Sequence, residues 1–300
     1  MRQIAVSLHL GAHKTASTHL QKSLQKNESL LAENAVRYFG PKFLRHRDHA
    51  FLDLFGLRSH GQSVGDRDGP EQVEWLADGA STLVLSEENI LGPVFNALNP
   101  GVLYPQADLK IERFNEKVAP HPVTIFLAIR EPSSWLASLY SQRVIGGEFR
   151  GFEEFVGDNH PQQLKWSNLV DRLAKIPGDR KVYVWRKEDY PEVAAPVLRR
   201  MVGWKIGPLV GRIEGRVNAG LSSAAVAQLV DWGKSGRTGD PKDWAKEARQ
   251  TFALGDANSI FDPWPETVKS QSRLAYADDL ATIENLNGAE ILKPSSRSRK

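Results

Sequence analysis

The sequence contains no cysteine, which removes disulfides, zinc–thiolate sites and cysteine nucleophiles together from the chemistry open to it. No stretch approaches the roughly 18 uninterrupted apolar residues of a membrane-spanning helix. The N-terminal segment MRQIAVSLHLGAHK has one early arginine, an apolar run broken by Ser7 and His9, and no small-residue cleavage site, so it does not fit a secretion signal. Together these absences lead to the expectation of a cytoplasmic protein without a membrane span. An excess of one charge sign is lacking as well: 39 Lys and Arg against 36 Asp and Glu leave a formal net charge of +3. No field over the whole molecule therefore argues for nucleic acid as a partner, and an anion site has to be local.

What is present is an ordinary globular composition, 41% hydrophobic and 25% charged over 300 residues. Apolar runs that read as strands recur at 4–10, 82–86 (TLVLS), 123–129 (VTIFLAI) and 181–185 (KVYVW). Nearly continuous apolar strands alternating with helices predict an α/β fold, a mainly parallel central sheet covered by helices on both faces. Helices are expected over 17–33, 70–78, 132–145, 162–175, 191–202, 222–234, 243–252 and 268–279, several opened by Ser, Asp or Pro. The C-terminal third reads as a helical cap whose helices are too thin for a separate core. The expectation is one domain over 1–292, followed by a basic, flexible tail, KPSSRSRK. Segments 58–69 and 92–106, rich in Gly, Pro and polar residues, read as long loops of the kind that form lids or touch substrates.

The first strand runs into GAHKTAST. In a parallel α/β sheet this position, beyond the carboxyl end of a strand and at the start of a helix, turns backbone N–H groups toward an anion. Lys14 supplies a point charge, and Thr15, Ser17 and Thr18 supply hydroxyls. The loop departs from the nucleoside triphosphatase pattern, G-x-x-x-x-G-K-[ST]: Gly11 stands only three positions before the lysine, and no glycine directly precedes it. A P-loop kinase or NTPase using ATP and magnesium stays as the alternative, with Glu87 and Glu88 after TLVLS as the residues that would imitate its magnesium-binding acid.

A second anchor follows the third apolar strand. In TIFLAIREPSSWLASLYSQ, Arg130 ends the strand and Pro132 opens a helix. Trp135, Leu136, Leu139 and Tyr140 form its apolar stripe and leave Ser134, Ser138 and Ser141 on another face. An arginine at a strand end presents a fork of donors suited to a phosphate monoester, and a helix serine adds a hydrogen bond. The plain alternative is a surface pair of Arg130 with Glu131.

GAHKTASTHLQ together with REPSSWLASLY resembles the two cofactor motifs of sulfotransferases that use 3′-phosphoadenosine-5′-phosphosulfate (PAPS). The resemblance implies a P-loop-like fold. It implies that Lys14, Thr15, Ala16, Ser17 and Thr18 line the 5′-phosphosulfate site, and that Arg130 and Ser138, eight positions apart, hold the 3′-phosphate. It extends more weakly to YVWRKEDYP and to GRVNAGLS, whose Arg216 and Asn218 would reach the 3′-phosphate or ribose from a loop closing over the nucleotide. The chain departs from the family at Ala16, where glycine is common, at His19, where the cytosolic animal enzymes stack a tryptophan on adenine, and at Lys187, where an aromatic is frequent.

The activity the resemblance implies is transfer of a sulfuryl group from PAPS to a hydroxyl or amine, releasing 3′-phosphoadenosine-5′-phosphate (PAP), with no metal expected. Lys14 would stabilise charge on the leaving oxygen. The base is open among three residues. Glu88 matches the Ser-x-Glu-Asn pattern of bacterial members, Glu87 adjoins it, and His13 touches the loop; His9 reads as a packed strand histidine. The acceptor would be a small molecule or glycan: a carbohydrate, a glycolipid or a small metabolite. The stretch KFLRHRDH (residues 42–49) reads as mixed-charge solvated surface, with lining a cleft for an acidic glycan as the sharper option. A nucleotide-binding protein without turnover is the non-enzymatic alternative.

Overall fold

A computed structural model describes residues 2–57, 67–178, 181–215 and 220–294. In chain order it contains β1 (Ala5–Gly11), α1 (Ser17–Lys26), α2 (Glu28–Glu33), β2 (Val36–Phe39), α3 (Pro41–Leu44), α4 (Phe51–Leu54), α5 (Gly69–Ala77) and β3 (Thr82–Ser86). A short hairpin of β4 (Leu98–Asn99) and β5 (Val102–Leu103) leads to α6 (Ala107–Val118), β6 (Val123–Ile129), α7 (Pro132–Ile145), α8 (Phe152–Val156) and α9 (Trp166–Ala174). Then come β7 (Val182–Arg186), α10 (Tyr190–Val202), α11 (Ser223–Lys234), α12 (Pro241–Thr251), α13 (Glu266–Glu284) and β8 (Ala289–Ile291).

The protein is α/β, with six strands in the order β2-β3-β1-β6-β7-β8, every neighbouring pair parallel. Side chains alternate across each strand. Val6, Leu8 and Leu10 of β1, Leu83 and Leu85 of β3, and Ile125, Leu127 and Ile129 of β6 belong to the core on one face. Val84, Phe126, Ala128 and Trp185 belong to the core on the other, against Leu20 and Leu24 of α1 and Val193, Val197 and Leu198 of α10. Both faces are buried, which is why the central strands are mostly apolar and why Ser7, His9 and Ser86, polar exceptions among them, are themselves buried and hydrogen-bonded.

The C-terminal helices share this core. Leu221, Val226 and Leu229 near and on α11, Trp244 and Ala248 on α12, and Tyr276 and Ile283 on α13 are part of the first cluster, and β8 adds a strand beside β7. Asp279 of α13 is buried and accepts from the amides of Trp166 (2.7 Å) and Ser167 (3.2 Å) and from the Ser167 hydroxyl (2.5 Å), capping α9 from 112 or more positions away. The expected helix over 17–33 divides at Asn27, whose side-chain amide donates to the carbonyls of Ser23 (2.7 Å) and Gly211 (2.8 Å). The expected loop over 92–106 contains the β4–β5 hairpin. Most of the other loop, 58–66, and the end of the tail, 295–300, lie outside the described residues. Among the described residues no helix is long and apolar enough to cross a membrane.

Candidate active site

β1 and β6 lie side by side at the middle of the sheet, so the loops leaving their carboxyl ends are neighbours. The β1 loop begins with a register shift between His9 and Gly11 and a left-handed Gly11 (φ +80°), which together turn the chain off the strand. Lys14 (φ +64°) and Ala16 (φ +69°) are left-handed as well, a conformation that costs a non-glycine residue on the order of 1 kcal/mol. Three groups brace this strained loop from outside. The Trp135 indole donates to the His13 carbonyl (2.9 Å), the His13 amide donates to the Tyr104 hydroxyl (3.1 Å), and the Ala12 amide donates to the Ala128 carbonyl (3.0 Å).

The consequence is a concave run of amides. The N–H groups of Lys14, Thr15, Ala16, Ser17 and Thr18 have no acceptor among the described residues, and α1 has neither a side-chain N-cap nor an acid in its first turn. Consecutive free amides at the positive end of a helix form an anion-binding nest. The hydroxyls divide. Thr15 and Ser17 donate to the Ala12 carbonyl, at 2.6 and 3.4 Å, and so stiffen the turn, whereas the Thr18 hydroxyl has no partner among the described residues and is half-exposed.

Arg130 joins the two anchors. Its Nη1 donates to the Lys14 carbonyl (3.1 Å) and its Nε to Ser134 Oγ (2.9 Å). It does not pair with Glu131. That carboxylate caps α7, accepting from the amides of Ser133 (3.0 Å) and Ser134 (2.9 Å), and also accepts from the Ser272 hydroxyl of α13. Burial pushes the Glu131 carboxyl up, but these bonds outweigh it and hold it below the ordinary value. The Lys14 ammonium reaches Gln142 Oε1 (3.3 Å), so Ser134, Ser138 and Gln142, four residues apart in turn, share the face of α7 turned to the site. Ser138 stands between Ser134, which holds Arg130, and Gln142, which holds Lys14, and its hydroxyl has no hydrogen-bond partner among the described residues; Ser141 instead packs inward, donating to the Ala137 carbonyl (2.9 Å).

Burial, then the charges of Arg130 and of Arg249 on α12, push the Lys14 ammonium down to about 8, against the opposing pull of Glu88. Lys14, Arg130 and Arg249 thus bring three cations close together around the loop, with Glu88 as the opposing charge on Lys14.

Glu88 borders the same loop: a Cβ built on Gly11 would lie 2.5 Å from Glu88 Cγ and 2.9 Å from Ser17 Oγ. Glu87 and Glu88 are both buried, and Arg45 clamps the two carboxylates, Nε to Glu87 Oε2 (2.7 Å) and Nη2 to Glu88 Oε2 (2.6 Å). Gln21 of α1 donates to Glu88 Oε1 (3.2 Å). Glu87 is spent structurally, since its Oε1 accepts the Asn89 amide (2.8 Å); burial pushes its carboxyl up against the pull of Arg45. His13 is committed at both ring nitrogens, Nδ1 to the Tyr104 hydroxyl (3.0 Å) and Nε2 to Asn89 Oδ1 (3.2 Å), and burial lowers its pKa. Because Asn89 Oδ1 only accepts, the neutral Nε2–H tautomer satisfies this network. His9 is fully buried, lies against Trp185 with ring centres 5.7 Å apart, and burial pushes it down to about 4.

At the far side of α1, His19 donates through Nε2 to the Ile213 carbonyl (2.9 Å) and bonds the Tyr190 hydroxyl through Nδ1 (3.2 Å), which anchors the segment entering GRVNAGLS. Arg216 and Asn218 themselves lie outside the described residues. Sequence reading passed over Arg45, Gln21, Gln142 and Tyr104. Gln142 carried a signal, the helical repeat Ser134–Ser138–Gln142; Arg45 carried none, lying 42 positions from its partners. No family model, curated protein or solved structure matches the chain.

Proposed function

We propose that the protein is a sulfotransferase that moves a sulfuryl group from PAPS to a hydroxyl or amine acceptor. The observation that carries this reading is the bond from Arg130 to the Lys14 carbonyl, which makes one site of two anion-binding segments 116 positions apart. A ligand with anionic groups at two ends of one nucleotide matches that arrangement: its 5′ end on the free amides of residues 14–18 with Lys14 and Thr18, its 3′-phosphate on the open side of Arg130 and on Ser138.

In this reading Lys14 neutralises charge on the oxygen that leaves, and Glu88 is the base. Of the three candidates Glu88 alone lies against the loop with a carboxylate oxygen, Oε1, held only by a neutral amide. The acceptor oxygen bonds to sulfur as the sulfur–oxygen bond to the phosphate breaks; the acceptor proton passes to Glu88 and PAP departs. Positioning and electrostatics supply the rate, as in phosphoryl transfer. A kinase would need a carboxylate to hold magnesium, whereas Glu87 and Glu88 both face the cation Arg45.

The test is a thermal-shift titration with PAP, ADP and ATP, each with and without magnesium. A ligand specific to the folded state adds about 2.7 kcal/mol at a hundredfold excess over its Kd. A magnesium-independent shift with PAP, little with ADP, and loss of the shift in Arg130→Ala is the expected result. A shift only with ATP and magnesium would overturn the reading in favour of a kinase.

A further inference from the structure

We propose that the cavity of about 640 Å3 between α1, β2 and α3 is the acceptor pocket, and that it takes an aromatic hydroxy acid, a ring body with a hydroxyl at one end and a carboxylate at the other. The assignment of the hydroxyl as sulfuryl acceptor rests on the reading above; the assignment of the cavity's chemistry does not.

Position comes first. The cavity reaches Thr18 and Gln21, the residue of α1 beside the anion loop and the residue that holds Glu88 Oε1. Gln21 is thus the partition between the cavity and the candidate base. Its carbonyl accepts from the Tyr38 hydroxyl (3.2 Å), and Tyr38 fits there because Gly40 has no side chain: a Cβ on Gly40 would lie 2.3 Å from the Tyr38 hydroxyl oxygen. An acceptor hydroxyl that replaces the Gln21 amide at Glu88 Oε1 would leave the rest of its molecule in the cavity.

The walls decide what that molecule is. Phe39 and Phe43 pack with ring centres 4.5 Å apart, and Phe43 stacks on His49, also at 4.5 Å with planes 16° apart. Phe39, Phe43 and His49 thus make a continuous aromatic side suited to a flat ring, and Tyr38 lines the cavity from the other face of β2. Charge decides the far end. Lys22 and Lys42 line the cavity, are exposed, and have no ion-pair partner among the described residues, whereas Arg37 is held by Asp78. Glu28 is the single acid in the lining. A ring acid satisfies both features, while a neutral sugar would leave the lysines unmatched. The KFLRHRDH stretch therefore turns inward in part: Lys42, Phe43, His46 and His49 line the cavity, and Arg45 holds the glutamates.

The experiment uses 6-hydroxy-2-naphthoate, followed by its own fluorescence, against neutral 2-naphthol, each titrated into the full chain with and without saturating PAP. The naphthoate is expected to bind at least about fivefold more tightly than 2-naphthol, about 1 kcal/mol for the charge. Lys42→Glu, at an exposed position, should erase that preference without changing 2-naphthol binding, and Phe43→Ala should weaken both. Neither substitution should alter PAP affinity. Equal affinity for the two naphthalenes, or indifference to both substitutions, overturns the pocket while leaving the nucleotide reading intact. Naphthoate binding that obeys the substitutions in a protein that ignores PAP supports the cavity as an aromatic-acid site and sinks sulfuryl transfer.

Discussion

Raising the pH from 7 to 9.5 should weaken PAP binding about 30-fold, and Lys14 should carry the change. In the free protein burial and the charges of Arg130 and Arg249 push the Lys14 ammonium down to about 8 from an ordinary 10.5. A bound phosphate at the loop supplies the missing counter-charge and restores the ammonium toward that ordinary value. At about 1.4 kcal/mol per pH unit the restoration is worth about 3 kcal/mol, all of it belonging to the protonated form. Affinity is then flat below pH 8, falls about tenfold per pH unit above it, and levels off near 10.5. Burial keeps His13 neutral on the low side of this range, and burial pushes Tyr38, Tyr104 and Tyr190 up, out of it. The ligand's phosphates are fully charged above pH 7, their second pKa being about 6. Isothermal titration calorimetry across pH 6.5–10 reads the slope, and repeating it at pH 9 in buffers of different ionisation enthalpy reads the proton taken up. Lys14→Arg should bind with no slope over this range, and Lys14→Met weakly with no slope. A flat wild-type profile, or a slope that survives in Lys14→Met, would refute the argument.

Four further outcomes follow from the same geometry. Gly11→Ala places a Cβ 2.5 Å from Glu88 Cγ at a φ of +80°, so urea unfolding should show a loss of about 1–3 kcal/mol, and turnover should fall with the displaced carboxylate. Arg45→Met removes the cation shared by Glu87 and Glu88 and leaves two buried carboxylates without their ion-pair partner, so urea unfolding should show a loss of about 1–3 kcal/mol and turnover should fall; unchanged stability would refute the clamp. His9 titrates near 4 in the folded chain against 6.5 when exposed, so its contribution is complete above pH 6.5 and about 3 kcal/mol is lost as the pH falls to 4; His9→Leu should flatten that part of the urea-midpoint profile. Asp279→Ala strands the Trp166 and Ser167 amides in a buried place and should cost about 2–4 kcal/mol by urea titration, with PAP affinity unchanged.

Legibility in the sequence followed the range of the forces involved. The strands at 82–86 and 123–129 coincide with β3 and β6 because a strand buried on both faces must be apolar throughout, and such a run is visible one residue at a time. The edge strands β2 (VRYF) and β8 (AEI) are short and carry charge, as exposed edges do, and so resemble loop. Helix α6 was legible in principle, since Ile111, Phe114 and Val118 repeat at helical spacing on its buried side, but it follows directly on the Gly- and Pro-rich loop at 92–106 and was not among the expected helices. The candidate site divides in the same way. The lysine loop and the arginine strand end are local patterns, each a few residues long, and their adjacency follows from β1 and β6 being neighbours in a parallel sheet. What tunes the site comes from afar: Arg45 on the glutamates across 42 and 43 positions, Tyr104 on His13 across 91, and Gln142 on Lys14 across 128. Of these residues Gln142 alone stands out, by its helical spacing from Ser134 and Ser138. A local motif can therefore suggest an anion site, while the protonation of Lys14 and the contacts of Glu88 are set by the tertiary fold. For that reason the pH slope of Lys14 and the cost of removing Arg45 test the structure, whereas binding of PAP alone would test little beyond the motif.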